Sequence, residues 1–214
     1  MTKRPTSGAD TRARLLESAE RLFAERGVDA VSMREISREA GAKNVIAGQY
    51  WFGDKGGLIA ALLEKHAPDV ETARHTLLDS YERDGEPGIT PLAAALVHPL
   101  GMKLQQGTAG AGYLRTISDL LTRADPSVEP FGPETPDSSM VRWGALLEPL
   151  LDPIAVRMHR RFITARFAAI ELALRAQTDR DDHRLFLGHL TDIVTGQLAA
   201  PVSASTRALH EQKN

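Results

Sequence analysis

Residues 41–63 read GAKNVIAGQYWFGDKGGLIAALL, and this stretch decides how the N-terminal part of the chain folds. Gly53 and Asp54 divide it into a short polar and aromatic segment and a longer apolar one. Glycine readily ends a helix in the left-handed conformation, and aspartate is a preferred helix N-cap. The stretch therefore predicts one short helix followed at once by a second helix.

A further short helix is predicted directly upstream, in SMREISREAG at residues 32–41. Ser32 and Glu35 have the S-x-x-E spacing of a capping box, in which each side chain satisfies a free backbone amide at the helix start. Gly41 is placed to end this helix. Two short helices joined by a glycine turn are the helix-turn-helix arrangement.

The first helix of the chain is indicated by an apolar stripe between residues 15 and 26. Its members recur at i, i+4, i+7, i+8 and i+11, and they are Leu15, Ala19, Leu22, Phe23 and Arg26. Asp10 or Thr11 can cap its start, and Gly27 is placed to end it.

The composition fits a folded protein in a reducing compartment. The chain has 214 residues, 42% of them hydrophobic, and no cysteine, which excludes disulfides, thiolate zinc sites and cysteine nucleophiles. The start, MTKRPTSGAD, lacks a secretory signal, and no apolar run of about 18 residues follows. We therefore expect a cytoplasmic protein without a membrane contact.

The charge is unevenly divided along the chain. Residues 1–53 carry nine Lys/Arg and seven Asp/Glu, which gives +2, and the remainder carries seventeen and twenty-one, which gives −4. This polarity is in the direction expected for an N-terminal contact with nucleic acid, but it is small.

The rest of the chain is predicted to be helical, and the fold class is all-α. Helical periodicity with Pro and Gly boundaries places helices near 69–84, 91–106, 112–124, 138–151, 154–177 and 181–199. GTAGAG at 107–112 lacks the strand and the Lys-Ser/Thr of a phosphate loop, so it is predicted to be a linker. The proline-rich segment 124–137 is predicted to be a loop.

Residues 11–63 resemble the DNA-binding domain of the TetR family of transcriptional regulators. The resemblance rests on the S-x-R-E-I start of the second helix, the A-G turn and the Y-x-F-G-D-K segment at 50–55. It implies an N-terminal three-helix DNA-binding domain and a larger helical domain for ligand binding and dimerisation. The predicted division is a flexible arm at 1–9, the helix-turn-helix domain at 10–53 with a linking helix at 54–66, the ligand-binding and dimerisation domain at 67–200, and a tail at 201–214.

The predicted recognition helix carries side chains suited to base edges. Asn44 and Gln49 have the amide geometry that pairs with adenine, and aliphatic side chains can meet thymine methyl groups. These side chains, with one cation at the start of the segment, are Lys43, Asn44, Val45, Ile46, Ala47 and Gln49. The resemblance implies that Tyr50 and Lys55 contact phosphates. Further candidates for contact with the DNA backbone are Lys3, Arg4, Arg12, Arg14, Ser32 and Arg34.

The segment from Gly41 to Phe52 departs from the family pattern. It is one residue longer than the commonest form, and Gly48 stands where the related sequences have a buried valine. A glycine there costs roughly 0.5 to 1 kcal/mol of helix stability and is expected to leave a gap that Ile46 or Trp51 fills. Phe52 is predicted to be the core aromatic residue, and Glu17 and Glu20 are expected to face the protein body.

Two apolar rows on the predicted helix 154–177 suggest a dimer. One row, assigned to the subunit's own core, comprises Ile154, Met158, Phe162, Ala165, Ala169 and Leu172. The other row, with three positions on the next helix that permit close approach, is the predicted interface: Ile163, Phe167, Ile170, Leu174, Gly188, Asp192 and Gly196. The alternative is a monomer that buries both rows.

A ligand pocket is predicted from large or soft side chains on the helices that enclose the family's pocket. They are His98, Met102, Tyr113, Trp143, Met158 and Phe162, and each of them could equally be plain core. Pro99 and Gly101 are expected to kink the helix 91–106.

No constellation for catalysis is found, and we expect no enzyme activity, no metal and no cofactor. The seven histidines form neither an H-x-x-x-H nor an H-E-x-x-H pattern, and no G-x-S-x-G occurs. The sequence thus predicts a homodimeric repressor that a small-molecule effector releases from a palindromic double-stranded DNA operator. The alternative is a small-molecule-binding or interaction protein of the same fold without specific DNA recognition.

Overall fold

A computed structural model describes residues 8–42, 44, 46–85, 88–123, 129–131 and 135–212. All regular structure in these residues is helical, which confirms the all-α prediction. The α-helices are α1 (Gly8–Arg26), α2 (Met33–Glu39), α3 (Ala47–Phe52), α4 (Lys55–Asp84), α5 (Ile89–Gly101), α6 (Gly107–Leu121), α7 (Ser139–Leu147), α8 (Pro153–Arg157), α9 (Arg160–Arg175), α10 (Arg184–Ala199) and α11 (Ala204–Glu211). Short 3-10 helices follow α5 at Met102–Gln105 and α7 at Glu148–Leu150.

The chain forms two compact units, each built from separate segments. The first contains Met1–Pro68, Lys103–Gly132 and Ala173–Thr178, and the second contains Asp69–Met102, Pro133–Leu172 and Asp179–Asn214. The first unit thus includes α6 as well as the N-terminal helices. The predicted division into an N-terminal and a C-terminal domain stays a prediction.

Helix α1 supplies the core of the first unit. Leu15, Ala19 and Phe23 are fully buried, as the stripe predicts. Gly27 has φ +77° directly after the last turn, which confirms the predicted C-cap. The start was predicted too late, because α1 begins at Gly8 and not after Asp10 or Thr11.

Helix α6 packs against α1 through a glycine. A Cβ atom on Gly112 would lie 2.2 Å from the carbonyl oxygen of Glu20, so the two backbones approach closely at this point. Gly110 is also close to backbone: its Cβ atom would lie 1.9 Å from the carbonyl oxygen of Lys103, in the 3-10 turn before α6. The prediction that 107–112 is a linker was therefore wrong: these glycines are in the first turns of α6, where close packing requires them.

Helix α4 runs without interruption through Pro68. Separate helices at 54–66 and 69–84 were predicted because proline removes one helical hydrogen bond and disfavours the preceding turn. That prediction was wrong. Burial on both sides of the proline, at His66 and Val70, supports the helix where local propensity opposes it.

The second unit is built around α5, which is mostly buried. Trp143 of α7 donates its indole N–H to the carbonyl oxygen of Leu92 at 2.8 Å. Gly101 ends α5 against Leu187 of α10, with its Cβ position 2.5 Å from a leucine methyl group. The predicted helix 91–106 is therefore an α-helix that ends at Gly101 and continues as a 3-10 turn.

A buried polar cluster holds the start of α7. Glu71 accepts hydrogen bonds from the Ser139 amide at 2.7 Å and from its hydroxyl at 2.8 Å. Arg74, with 1% of its surface exposed, donates to the Ser139 hydroxyl at 2.8 Å and to the carbonyl oxygen of Ala95 at 3.1 Å. Glu71 thus caps α7, a role that Ser138 does not fill with its own side chain.

The predicted helix 154–177 is broken at His159, which has φ +55°. Helix α8 ends at Arg157 and α9 begins at Arg160, so the single row of core residues predicted across the break was wrong. Met158 and Phe162 are 60% and 49% exposed, whereas the later members of that row, Ala165, Ala169 and Leu172, are buried.

The segment 201–214, expected to be a tail, contains helix α11. Ser203 caps it by accepting a hydrogen bond from the Thr206 amide at 3.2 Å. An ion pair between Arg207 and Asp152 ties it to the start of α8.

Candidate nucleic-acid interface

Helix α2 begins with the predicted capping box. The Ser32 amide donates to the Glu35 carboxylate at 2.8 Å, and the Glu35 amide donates to the Ser32 hydroxyl at 3.2 Å. Arg26 at the end of α1 adds a hydrogen bond to Glu35 at 3.1 Å. The Ser32 amide and hydroxyl, followed by Arg26, lower the pKa of Glu35 to about 2. Glu35 therefore stays ionised and holds α2 against α1.

Gly48 is the point at which α3 packs on α2. Its amide donates to the hydroxyl of the fully buried Ser37 at 3.2 Å. Its Cβ position lies 2.9 Å from the methyl carbon of Met33 and 3.2 Å from the Ser37 hydroxyl. The expected packing gap is absent, because α2 occupies the space that a larger side chain would need. Ile46 and Trp51 have no gap to fill, and Ile46 is 59% exposed.

Helix α3 begins later than the sequence suggested, at Ala47. Asn44 precedes it and forms a turn in which its side-chain oxygen accepts from the Ile46 amide at 3.1 Å. The Asn44 carbonyl oxygen accepts from the Ala47 amide at 3.0 Å. Lys43 and Val45 lie outside the described residues, as do Lys3 and Arg4 of the arm.

The surface of α3 opposite Gly48 is exposed. Ile46, Gln49 and Tyr50 occupy positions i, i+3 and i+4, so their side chains lie on one face. Tyr50 is 80% exposed, Gln49 is exposed, and Ala47 beside them is half-buried. We call Ile46, Gln49 and Tyr50 the reader face. It is an uncharged surface carried by a helix whose opposite side is fixed to α2.

The remaining aromatic residues lie at the end of α3. Trp51 is half-buried and meets the Tyr50 ring edge-on, with 5.3 Å between centroids. Phe52 is also half-buried, and the Arg12 guanidinium lies 5.2 Å from its ring centroid. Gly53, with φ +76°, ends the helix, and Asp54 caps α4 by accepting from the Gly57 amide at 2.8 Å. Phe52 is thus only a partly buried core residue.

Several cations lie on the helices next to α3 in sequence. Arg34 is exposed, and Lys55 is half-buried, with burial as the main cause of a lowered pKa. Arg38, one turn after Arg34, is exposed too, and no ion pair involves either arginine within the described ranges. Arg38 is thus a further candidate for contact with the DNA backbone, and its i+4 spacing from Arg34 is visible in the sequence. Arg14 pairs weakly with Asp10, at 3.9 Å.

The two acids of α1 that were expected to face the protein body, Glu17 and Glu20, differ in burial. Glu20 is buried and accepts from His66 at 2.9 Å and from Lys65 at 2.8 Å. Burial raises its pKa, but the hydrogen bonds from His66 and Lys65 outweigh burial and leave the pKa below its ordinary value. The prediction that Glu20 faces the body is thus confirmed. Glu17 is exposed and lines a cleft with Glu64 and Lys65 of α4, so the expectation for it stays a prediction.

The turn between α1 and α2 is fixed to α6 within the first unit. The carboxylate of Asp119 accepts from the Val28 amide at 2.7 Å and from the Arg115 guanidinium at 2.9 Å. Arg123 forms an ion pair with Asp29 in the same turn. These contacts link the helix-turn-helix segment to a helix distant in sequence.

The six predicted pocket residues differ in burial. Tyr113 is buried in the first unit, where its ring stacks on His66 at 4.8 Å between centroids, and Trp143 is core of the second unit. His98, Met102, Met158 and Phe162 are exposed. A surface cleft of about 520 Å³ in the first unit is lined by other residues: Ala9, Arg12, Ala13, Leu16, Glu17, Ala61, Glu64 and Lys65. The pocket stays a prediction.

The predicted dimer positions are open in the single chain. Ile163 and Leu174 are 60% and 53% exposed, and Phe167 and Ile170 are half-buried. On α10, Gly188, Asp192 and Gly196 are exposed, and a Cβ atom on either glycine would meet no other part of the described chain within 4 Å. The interface itself stays a prediction.

Two further properties of the described residues concern membranes and metal ions. No helix in the described part of the chain has the length and apolar character needed to cross a membrane. Among the same residues, no three His, Asp or Glu side chains are grouped so that they could hold a metal ion.

Comparison with known proteins agrees with the site geometry. Residues 15–62 match the family model for bacterial regulatory proteins of the tetR family. The crystal structure of a HlyIIR mutant is 17% identical over 91% of this chain and 98% of its own, with a TM-score of 0.60. Mycobacterium smegmatis AmtR is 18% identical, with 100% and 97% covered and a TM-score of 0.49. A gamma-butyrolactone receptor (ArpA-like protein) is 20% identical, with 97% and 98% covered and a TM-score of 0.45. A search of the curated proteins gives no match.

The braced α2–α3 pair with its exposed outer face has the geometry of a helix-turn-helix DNA-binding motif. The match over residues 15–62 identifies an N-terminal domain of the tetR type, and the chain shares its fold with the HlyIIR mutant.

Proposed function

We propose that the protein is a repressor that binds a palindromic DNA operator as a homodimer and is released by a small-molecule effector. The observation that carries the DNA-binding part is the reader face: exposed side chains on a helix whose other side is fixed by Gly48 and Ser37. A helix inserted in the major groove needs this division between an outer and an anchored face.

The dimer part is supported by the exposed apolar side chains of α9 and the open glycines of α10. Two recognition helices read successive major grooves when they lie about one duplex turn, roughly 34 to 36 Å, apart. An effector that binds one spacing better than the other would shift the population of dimers away from DNA.

The test is a gel shift of the full chain on the DNA that flanks its own gene, with a scrambled duplex as competitor. Gln49→Ala should relax sequence preference and weaken specific binding by about 1 to 3 kcal/mol. Lys55→Ala should weaken binding to all duplexes alike and lower the salt slope by about one. Equal binding to every duplex would instead favour a binding or interaction protein without specific DNA recognition.

The dimer is tested separately by mass measurement at micromolar concentration. A species of twice 23.3 kDa is expected, and a species of 23.3 kDa alone would remove the dimer from the proposal.

A further inference from the structure

The reader face has a restricted chemistry. Bidentate contacts to guanine come from arginine or lysine, and contacts to cytosine come from acids, whereas glutamine pairs with adenine and apolar groups meet the thymine methyl. Ile46, Gln49 and Tyr50 include neither a cation nor an acid. The side chains on this face are therefore suited to A·T base pairs.

The spacing of Ile46 and Gln49 lies between one and two base-pair steps, so the two side chains can reach neighbouring base pairs. Residues three apart on a helix have Cβ atoms about 5 to 6 Å apart, and successive base pairs are stacked about 3.4 Å apart. With Ile46 59% exposed and Gln49 exposed, both side chains are available to the same stretch of groove.

Asn44 differs from Gln49 although both carry an amide. The Asn44 side-chain oxygen already accepts from the Ile46 amide at 3.1 Å, and its carbonyl oxygen accepts from the Ala47 amide at 3.0 Å. A bidentate pair with adenine requires the amide oxygen and nitrogen to point together at the base edge. Gln49 makes no side-chain hydrogen bond to any other described residue, so its amide can adopt that orientation.

We infer that the operator half-site contains two neighbouring A·T pairs, with Ile46 against a thymine methyl group and Gln49 paired to an adenine. Asn44 is a positioning residue: it forms the turn that begins α3 and does not itself read the adenine. This inference rests on the proposed function and names the DNA sequence that the same surface takes.

The first step of the test is selection of sites by the full chain from a random duplex library. Enrichment of a palindrome with adjacent A·T pairs in each half-site is expected. A palindrome whose contacted positions are G·C would overturn the inference and leave the proposed function intact. Failure to enrich any sequence would count against the proposed function itself.

The second step assigns each contact by base analogues in the selected duplex. Purine in place of adenine removes the exocyclic amino group, and uracil in place of thymine removes the methyl group. With the natural protein, the first change should weaken binding about five- to 150-fold and the second about fourfold. Gln49→Ala should abolish the purine penalty, and Ile46→Ala should abolish the uracil penalty.

Asn44→Ala should weaken binding to all duplexes yet keep the full purine penalty. Asn44→Ser, which retains an oxygen for the turn, should restore affinity and also keep that penalty. Gln177→Ala and Leu209→Ala, at exposed positions outside α3, are matched controls that should change nothing. Loss of the purine penalty in both Asn44 variants, or its persistence in Gln49→Ala, would overturn the assignment.

Discussion

The contact of α6 with α1 and the outer face of α10 both depend on helical glycines, but their surroundings are opposite. At Gly112, the carbonyl oxygen of Glu20 lies where a Cβ atom would be, at 2.2 Å, so the glycine is explained within the chain. At Gly188 and Gly196, no atom of another described element lies within 4 Å of the same position. Glycine costs a helix roughly 0.5 to 1 kcal/mol relative to alanine, so open glycines need a reason outside the single chain. The second copy in the proposed dimer would supply that reason.

Gly112→Ala should have the largest effect on folding. The added methyl group collides with backbone, which cannot rotate away as a side chain can, so α6 must separate from α1. We expect a loss of about 3 kcal/mol or more in the free energy of unfolding, at the upper end of overpacking effects. Urea denaturation followed by circular dichroism measures it. A change within about 0.5 kcal/mol, the usual range of a neutral surface substitution, would show that α1 and α6 are not in close contact.

Asp119→Ala should have the next largest effect, since it removes the acceptor of the Val28 amide. Leaving a partly buried donor without its partner costs about 1 to 3 kcal/mol. Thermal unfolding of Asp119→Ala and of the control Asp119→Asn, which keeps an oxygen acceptor, gives the comparison. If the two variants melt at the same reduced temperature, the lost contact is the ion pair with Arg115 and not the amide bond.

Gly188→Ala tests the exposed glycine face of α10. In a monomer, the added methyl group collides with nothing and should raise helix stability by about 0.5 to 1 kcal/mol. In the proposed dimer, the methyl group obstructs close helix approach, and the dissociation constant should rise about tenfold, which is about 1.4 kcal/mol. Sedimentation at a series of concentrations distinguishes the monomer outcome from the dimer outcome. A variant that gains stability with unchanged association would place the interface elsewhere.

Acid pH should weaken the contact between α1 and α2. Its effect on the free energy of unfolding should be smaller than the effects of the three substitutions above. The pKa of Glu35 is lowered from 4.5 to about 2 in the folded chain. Its stabilising contribution is therefore complete above pH 4.5 and is lost as the pH falls toward 2. Glu35→Gln should flatten the pH dependence of unfolding within this window and leave the dependence near neutral pH unchanged. An identical acid profile in the variant would contradict the capping assignment.

Features set by short-range chemistry could be predicted from the sequence. The capping box of Ser32 and Glu35 and the left-handed Gly27 depend on neighbours within one turn, and both occur as expected. The predicted linker at 107–112 and the predicted break at Pro68 were wrong because long-range packing overrides local preference at these positions.

The candidate site shows the same division between local and long-range effects. The exposed amide and aliphatic side chains of α3 could be predicted from residue type and spacing. Two other features of the site could not be predicted from local patterns. Gly48 packs against Met33 and against Ser37, which lies 11 positions away in sequence. The turn after α1 is held by Asp119, which lies 91 positions from Val28. The break at His159 likewise left Met158 and Phe162 outside the core they were assigned to.

The central claim is that the reader face recognises DNA sequence, and competition binding tests it most directly. The ratio of the affinity of the full chain for the selected duplex to its affinity for a scrambled duplex should be at least about 1,000 at physiological salt. The double variant Ile46→Ala with Gln49→Ala should lose most of that ratio while its affinity for scrambled DNA stays the same. A double variant that retains the full ratio would contradict the claim, because sequence would then be read by another part of the molecule.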